Sequence, residues 1–271
     1  MPEIIDTIRR RSASSEPLLL NAGAQVRLQR FVLFGSALVF VYLVAAIYAI
    51  PPDEPRAFHF VDERGAVTAL SAVFLAVACG FSFLTVLFSE GETRKVRGFW
   101  WLTTLALGFL VLDELLQFHE RLGVLLDEAD ALGLSNSPVR GWNDVVVAAY
   151  GVVAIAVGAY FLPVLLRYPE FTKLVGAAFF FYVLHTVIDS VTEPPTTQSV
   201  ILEESAKLFC GQFLALAFLS TVLVHAIPVR RSQEAVEANG APLPLEIGLP
   251  LTQNPLAQNP LAQQRTRPPC L

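Results

Sequence analysis

Six long apolar runs alternate with short polar segments along this chain. Crossing a membrane takes about 20 predominantly apolar residues in a helix. Runs of that length cover about residues 31–50, 67–88, 99–126, 144–166, 171–191 and 201–227, and prolines follow the first and the last of them. The pattern predicts an all-α polytopic membrane protein with a six-transmembrane-helix bundle in residues 29–229.

Lysine and arginine are unequally divided between the two sets of loops. Cytoplasmic loops hold the excess of these cations in membrane proteins. One set of helix ends has many of them: Arg9, Arg10, Arg11, Arg27, Arg30, Arg94, Lys95, Arg97, Arg167, Lys173, Arg230 and Arg231. The opposite loops have only Arg56, Arg64 and Arg140 and are rich in acids. We expect both ends of the chain to face the cytoplasm, in a cell inner (plasma) membrane.

Composition and charge fit a chain whose main partner is the lipid bilayer. Hydrophobic residues make up 54% and charged residues 16%, which is abnormal for a soluble domain. The net charge of -5 and the absence of a basic, aromatic-interleaved stripe argue against a nucleic-acid partner. The sequence also has no nucleophile elbow, phosphate loop, dinucleotide fingerprint or c-type haem motif.

Short terminal segments flank the predicted bundle. Residues 1–28 are expected to be a cytoplasmic N-terminal segment. Residues 230–271 are rich in Pro, Gln, Asn and Ala and repeat the pentad Gln-Asn-Pro-Leu-Ala from Gln253 and from Gln258. Such a composition cannot build a core, so we expect a disordered cytoplasmic tail there.

Ionisable residues interrupt the third, fifth and sixth apolar runs. Each costs a few kcal/mol to insert on translocation scales, of roughly 2.5 to 3.5, so such residues point to a functional site. The third run contains LDELLQFHER, the fifth contains HTVIDS, and the sixth opens with Glu203, Glu204 and Lys207. The predicted topology gathers these groups in the outer half of the membrane. We expect a polar pocket that faces the periplasm or the exterior.

Helical spacing indicates which of these groups can act together. At about 100° per residue, Asp113, Gln117 and Glu120 share one face of a continuous helix, and His119 points away from it. His185 and Asp189 lie one turn apart on one face. That spacing suits two ligands of one ion, or a carboxylate that orients an imidazole.

Ordinary structural roles compete with each functional reading. Glu203 and Lys207 can form a salt bridge across one helical turn. Asp113 and Glu114 can be neutralised by Arg121 or Lys207. His185 and Asp189 can simply hold helices together by hydrogen bonds. The remaining histidines, His59 and His225, are expected to be structural or solvated.

The first functional hypothesis is a divalent metal site in this pocket. Carboxylate and imidazole ligands suit zinc, iron or manganese, and the bound metal would activate a water for hydrolysis. Glu120 is the candidate catalytic general base. The candidate ligands are His185, Asp189, Asp113, Glu114, Glu204 and, if the third helix bends, His119.

Two further hypotheses need no metal. In the first, Asp113, Glu114, His185 and Asp189 exchange protons or cations in a transporter. In the second, the chain is a non-catalytic subunit of a larger membrane complex, with other membrane proteins as partners. A b-type haem between His119 and His185 is a further reading of the same residue types.

The runs LDELLQFHER and LEESAKL carry a family resemblance. They resemble a class of uncharacterised bacterial multi-pass membrane proteins with a DE-x4-HE helix and a later helix containing two glutamates. The LDEL run is also similar to one in the alkaline ceramidase-like membrane hydrolases, whose metal is held by histidines. This second resemblance implies a metal-dependent hydrolase.

Overall fold

The structure is a computed structural model that describes residues 17–50, 54–61, 65–128, 142–192 and 196–238. Of residues 61, 143, 144 and 227–238 it describes the backbone alone. Within these ranges the chain is helical and contains no strand. The helices are α1 (Ala22–Tyr48), α2 (Phe58–Val61), α3 (Ala66–Phe88), α4 (Arg94–Leu116), α5 (Phe118–Glu128), α6 (Trp142–Tyr160), α7 (Leu162–Leu165), α8 (Pro169–Val191) and α9 (Thr197–Ala238).

Five of the described helices are long and apolar enough to cross a membrane. They are α1, α3, α4, α8 and the Thr197–Ala226 part of α9. The predicted fourth span corresponds to α6 and the short α7, and its continuous apolar helix, Val145–Tyr160, is shorter than the other five. The chain is therefore an α-helical protein of multi-pass membrane character. The count of six spans and the orientation stay predictions.

The predicted third and fourth spans are each broken into two helices. Gln117 separates α4 from α5, and the α6 helix ends before Phe161. Pro163 explains the second break, since proline in the first turn of α7 cannot donate a backbone hydrogen bond to the preceding helix. A single continuous helix over residues 99–126 was thus the wrong prediction for the third run.

Two helix ends also differ from the sequence boundaries. Helix α1 begins at Ala22, where the Asn21 side chain accepts a 2.9 Å hydrogen bond from the Ala24 amide. Helix α9 continues past Pro228 to Ala238, so the predicted end at residue 227 is wrong for the backbone. Residues 1–16, and most of the predicted tail at 239–271, lie outside the described residues.

The apolar core is richest in aromatic rings near the start of α4. Trp100 is fully buried, and its ring makes edge-to-face contacts with Tyr168, Phe171 and Phe218 at centroid distances of 5.2 to 6.2 Å. A second cluster holds α1 against α3 and α9 through Val39, Val67 and Leu208. Side chains on the other face of α1, such as Phe34 and Leu38, are 70% exposed. An apolar face of this kind suits contact with lipid.

Buried hydroxyl groups link the spanning helices. The Ser82 hydroxyl on α3 lies 2.9 Å from the hydroxyls of both Thr103 and Thr104 on α4. Thr85 on α3 and Thr221 on α9 are joined by a 2.7 Å hydrogen bond. Hydrogen bonds of this kind hold membrane helices together where burial of apolar area gives no driving force.

Candidate functional site

Gln117 interrupts the polar run on the predicted third span. Its φ of 54° and ψ of 47° place it in the left-handed region, and no other non-glycine residue in the described part of the chain has a positive φ. Its amide donates to the Asp113 carbonyl at 2.7 Å, and its carbonyl accepts from the Arg121 amide at 3.0 Å. A glutamine in this conformation costs about 1 kcal/mol or more, so other contacts must hold the break.

Asp113 and His119 make two of the contacts that hold this break. The Asp113 carboxylate is buried; Oδ1 accepts the His119 backbone amide at 2.9 Å, and Oδ2 lies 2.9 Å from His119 Nδ1. An ionised carboxylate can only accept, so Nδ1 carries a proton in this pair. The break at Gln117 thus brings together two residues that a continuous helix would keep apart.

Glu120 lies on the other side of the same imidazole. Its Oε1 atom is 3.9 Å from His119 Nε2, and its Oε2 atom accepts a 2.7 Å hydrogen bond from the Gln117 amide group. The Glu120 side chain is 52% exposed and that of His119 is 18% exposed. We call Asp113, His119 and Glu120 the His119 site. It has a buried acid on Nδ1 and a half-exposed acid near Nε2.

Glu114, one residue from Asp113, belongs to a different cluster. Lys207 Nζ on α9 lies 3.0 Å from Glu114 Oε1 and 3.7 Å from Glu204 Oε1. We call Glu114, Lys207 and Glu204 the Lys207 cluster. Of the two cations that could have neutralised Glu114, the structure selects Lys207.

His185 and Asp189 lie on α8 beside the Lys207 cluster. His185 makes an edge-to-face contact with Tyr182 at a centroid distance of 5.3 Å and interacts electrostatically with Lys207 and His119. Asp189 interacts electrostatically with Glu204. Gly151 on α6 leaves room for the Tyr182 ring, since a Cβ atom at position 151 would lie 2.8 Å from that ring.

The candidate metal ligands are therefore divided among neighbouring groups. Asp113 and His119 bind each other, Glu114 and Glu204 both pair with Lys207, and His185 lies against Tyr182. No group of three or more His, Cys, Asp or Glu side chains that could hold a metal ion occurs among the described residues. The predicted zinc, iron or manganese pocket is without support in this part of the chain.

A second polar region, which the sequence did not reveal, lies near the start of α4. Arg167, between α7 and α8, forms a 2.5 Å ion pair with Glu92, and both side chains are largely buried. The Tyr168 hydroxyl lies 3.2 Å from His225 Nε2, so the expectation of a structural His225 agrees with its position. The Arg167 carbonyl also accepts the Leu18 amide at 2.7 Å. We call Glu92, Arg167, Tyr168 and His225 the Arg167 clamp.

Tyr168 is the group in this clamp whose protonation the surroundings alter most clearly. The residue is 1% exposed. Burial, and secondly the nearby Glu92 carboxylate, raise the pKa of its phenol to about 12, because both disfavour a phenolate. The Tyr168 side chain therefore keeps its proton and stays neutral over the whole physiological pH range.

Comparison with known protein families finds a match over most of this chain. A family described as a domain of unknown function (DUF8692) matches residues 30–223. No curated protein matches this chain, and no solved structure does. The resemblance to uncharacterised membrane proteins thus holds at the level of a family without an assigned activity, and the resemblance to ceramidase-like hydrolases gains no support.

Proposed function

The chain belongs to the DUF8692 family, and from its side-chain geometry we propose that it is a proton-handling membrane protein whose proton carrier is His119. Transfer of protons through the His119 site would serve proton-coupled transport or relay. The observation that carries the proposal is that both carboxylate oxygens of Asp113 contact His119. One accepts a hydrogen bond from the His119 backbone amide, and the other lies beside its Nδ1 atom.

Asp113 would act as the positioning residue. A carboxylate on Nδ1 fixes the ring orientation and the tautomer, leaves Nε2 as the free basic nitrogen, and stabilises the imidazolium once Nε2 is protonated. An imidazole can carry a proton on either of its ring nitrogens, or on both. A histidine held in this way is suited to accept and release one proton repeatedly.

Glu120 would exchange that proton with His119. The 3.9 Å separation between its Oε1 atom and His119 Nε2 exceeds a hydrogen bond, yet the side chain is half-exposed and can close the gap by a small rotation. Gln117 holds the other oxygen at 2.7 Å, so the carboxylate already lies on the correct side of the ring. Glu120, the candidate general base of the sequence, keeps a role in proton transfer under this proposal.

The location of the site fits proton exchange at one surface of the membrane. It lies where α4, a candidate membrane span, ends and α5 begins. By the lysine and arginine asymmetry, we place the site on the periplasmic or exterior side of the inner (plasma) membrane. Metal-assisted hydrolysis is the weaker alternative because the described side chains form no metal-ligating group.

Proton flux into proteoliposomes tests the proposal. Vesicles with an internal pH-sensitive dye would be given a pH gradient and a membrane potential. We expect the wild-type chain to conduct protons, His119→Gln to reduce the flux about 100-fold, and Asp113→Asn to reduce it about tenfold. His59→Gln is the matched control, because the ring of His59 hydrogen-bonds the Ala49 carbonyl, 3.0 Å away, and packs on Phe58, outside the His119 site.

Two results would overturn the proposal. One is a wild-type flux no greater than that of empty vesicles, and the other is full flux in His119→Gln. The role of Asp113 has its own readout in nitrogen NMR of labelled histidine. We expect Asp113→Asn to lose the preference for the tautomer protonated at Nδ1, which a purely structural role in the helix break would not predict.

A further inference from the structure

The Lys207 cluster buries more negative than positive charge. Glu114 is 8% exposed at its side chain and Glu204 is 13% exposed, and both face the single ammonium group of Lys207. Two carboxylates and one ammonium leave an excess of one negative charge. An uncompensated charge of this kind is strongly destabilising in a buried site.

No second cation is among the described groups that interact electrostatically with Glu204 or Lys207. Helix α8 brings Asp189 into electrostatic contact with Glu204, and α9 brings Glu203 into contact with Lys207. Cys210 interacts electrostatically with Glu114, and His185 interacts with Lys207. Neither residue carries a permanent positive charge. Because Lys207 is the one cation among these described groups, a bound proton or cation could supply the positive charge that Glu114 and Glu204 lack.

One oxygen atom shows where such a species would bind. Glu204 Oε1 is the atom that faces Lys207, whereas Glu204 Oε2 is buried and has no hydrogen-bond partner among the described residues. A buried carboxylate oxygen without a partner is rare in folded proteins and calls for an explanation. Protonation of the carboxyl group would remove the charge from this oxygen, and a bound cation would compensate that charge.

The geometry favours a proton over a metal cation. The ammonium group of Lys207 already occupies the space that a cation would need between the two acids. Metal cations such as Ca²⁺ require about six oxygen ligands, and no group of three or more ligating acids, cysteines or histidines exists in the described chain. A proton needs no such shell.

We propose that the Lys207 cluster binds one proton on the Glu204 carboxyl group, so that the ionised Glu114 pairs with Lys207, to which it lies closer. This is a second proton site, on an acid that the His119 site does not use. It does not depend on the proposed function, since it follows from charge and burial at α4 and α9 alone. If both sites exist, protons that leave His119 have an acceptor on the neighbouring helix face.

Infrared difference spectroscopy of the purified protein in detergent tests the inference. A protonated carboxyl group has a carbonyl stretch that a carboxylate lacks and that shifts in heavy water. At neutral pH we expect one such band, and we expect both Glu204→Gln and Glu114→Gln to lose it, because each leaves one acid for one ammonium. Glu170→Gln is the matched control: Glu170 pairs with Lys173 at 2.8 Å, one acid to one base, so its loss should leave the band unchanged.

The possible outcomes separate this site from the His119 site. A band that persists in both cluster variants would overturn the inference, as would a wild-type protein with no band. A band abolished by sodium ions would mean that the cluster binds a cation instead, and would overturn it as well. His119→Gln should keep the band, because His119 is not part of the Lys207 cluster. If neither the wild type nor this variant conducts protons, the proposed function fails but the band is still expected. Gel filtration would establish that each variant remains folded.

Discussion

The His119 site and the Arg167 clamp lie at opposite ends of α4, and each pairs an acid with a base. At the clamp, the partners are distant in sequence: 75 residues separate Glu92 from Arg167, and 57 separate Tyr168 from His225. At the His119 site, Asp113 and His119 are six residues apart. The clamp joins segments that are distant in sequence, whereas the His119 site lies within residues 113–120.

The His119 site is both more exposed and more strained than the Arg167 clamp. The Arg167 and Glu92 side chains are 10% and 17% exposed, whereas Glu120 is 52% exposed and sits beside a residue in the left-handed conformation. Long-range, buried and unstrained pairing is what a structural contact requires. Local, partly exposed and strained geometry is what a functional site more often has. The comparison teaches that a buried ion pair alone does not locate function in this fold.

The largest expected effect is on stability at the clamp. Arg167→Met would leave the Glu92 carboxylate buried without its partner and should lower the free energy of unfolding by about 3 to 5 kcal/mol. Detergent-induced unfolding, followed by tryptophan fluorescence, would measure this. Arg121→Met, an exposed cation beside the His119 site, is the control and should change stability by no more than about 0.5 kcal/mol.

A double variant sharpens that result. Adding Glu92→Gln to Arg167→Met removes the unpaired charge and should restore most of the lost stability. If Arg167→Met alone costs less than Arg121→Met, the two ends of α4 do not differ as the comparison requires.

The next effect is alkaline destabilisation through Tyr168. Its pKa of about 12 in the folded protein lies above the ordinary value of about 10, so the folded state binds the phenol proton more tightly. This stability is fully present below about pH 10 and is lost as the pH rises toward 12, by roughly 2 to 3 kcal/mol in total. Unfolding measured at increasing pH should show the loss in the wild type.

Two variants assign that loss to the clamp. Tyr168→Phe should be less stable at neutral pH, since it lacks the hydrogen bond to His225, but it should lose less on going to alkaline pH. Tyr160→Phe replaces a tyrosine that is 68% exposed and should keep the wild-type pH dependence. Equal pH dependence in all three proteins would contradict the assignment.

The smallest effect concerns strain at Gln117. Gln117→Gly and Gln117→Ala both remove the amide that binds Glu120, but only glycine relieves the left-handed backbone. We therefore expect the glycine variant to be more stable than the alanine variant by about 1 kcal/mol in the same unfolding assay. The reverse order would mean that the break is not strained, and would weaken the contrast with the clamp.

Much of the fold follows from the sequence for a simple physical reason. Long apolar runs must become helices in a membrane, since every backbone amide needs a partner within its own segment. Hence the predicted spans overlap α1, α3, α8 and the apolar part of α9, although α1 begins nine residues before the predicted start at residue 31. The break at Gln117 could not be foreseen, because glutamine is neither glycine nor proline and carries no signal for a left-handed residue.

The sequence singled out most members of the His119 site and the Lys207 cluster as candidates, but it did not indicate how they pair. Charges within apolar runs marked Asp113, Glu114, His119 and Glu204, and Lys207 was named as a partner of Glu114. The Asp113 to His119 contact was hidden, because in a continuous helix these side chains point in different directions. Arg167 and Glu92 resembled ordinary loop charges, since nothing in a linear pattern connects residues 75 positions apart.

The ion pair between Glu92 and Arg167 also has a consequence for biosynthesis. At about 5 to 20 residues per second, the ribosome adds Arg167 roughly 4 to 15 seconds after Glu92, 75 residues earlier. His225 follows 57 residues after Tyr168, so the clamp is completed only when the last spanning helix has been made. Glu92 therefore waits for Arg167 to be made, and Tyr168 waits for α9.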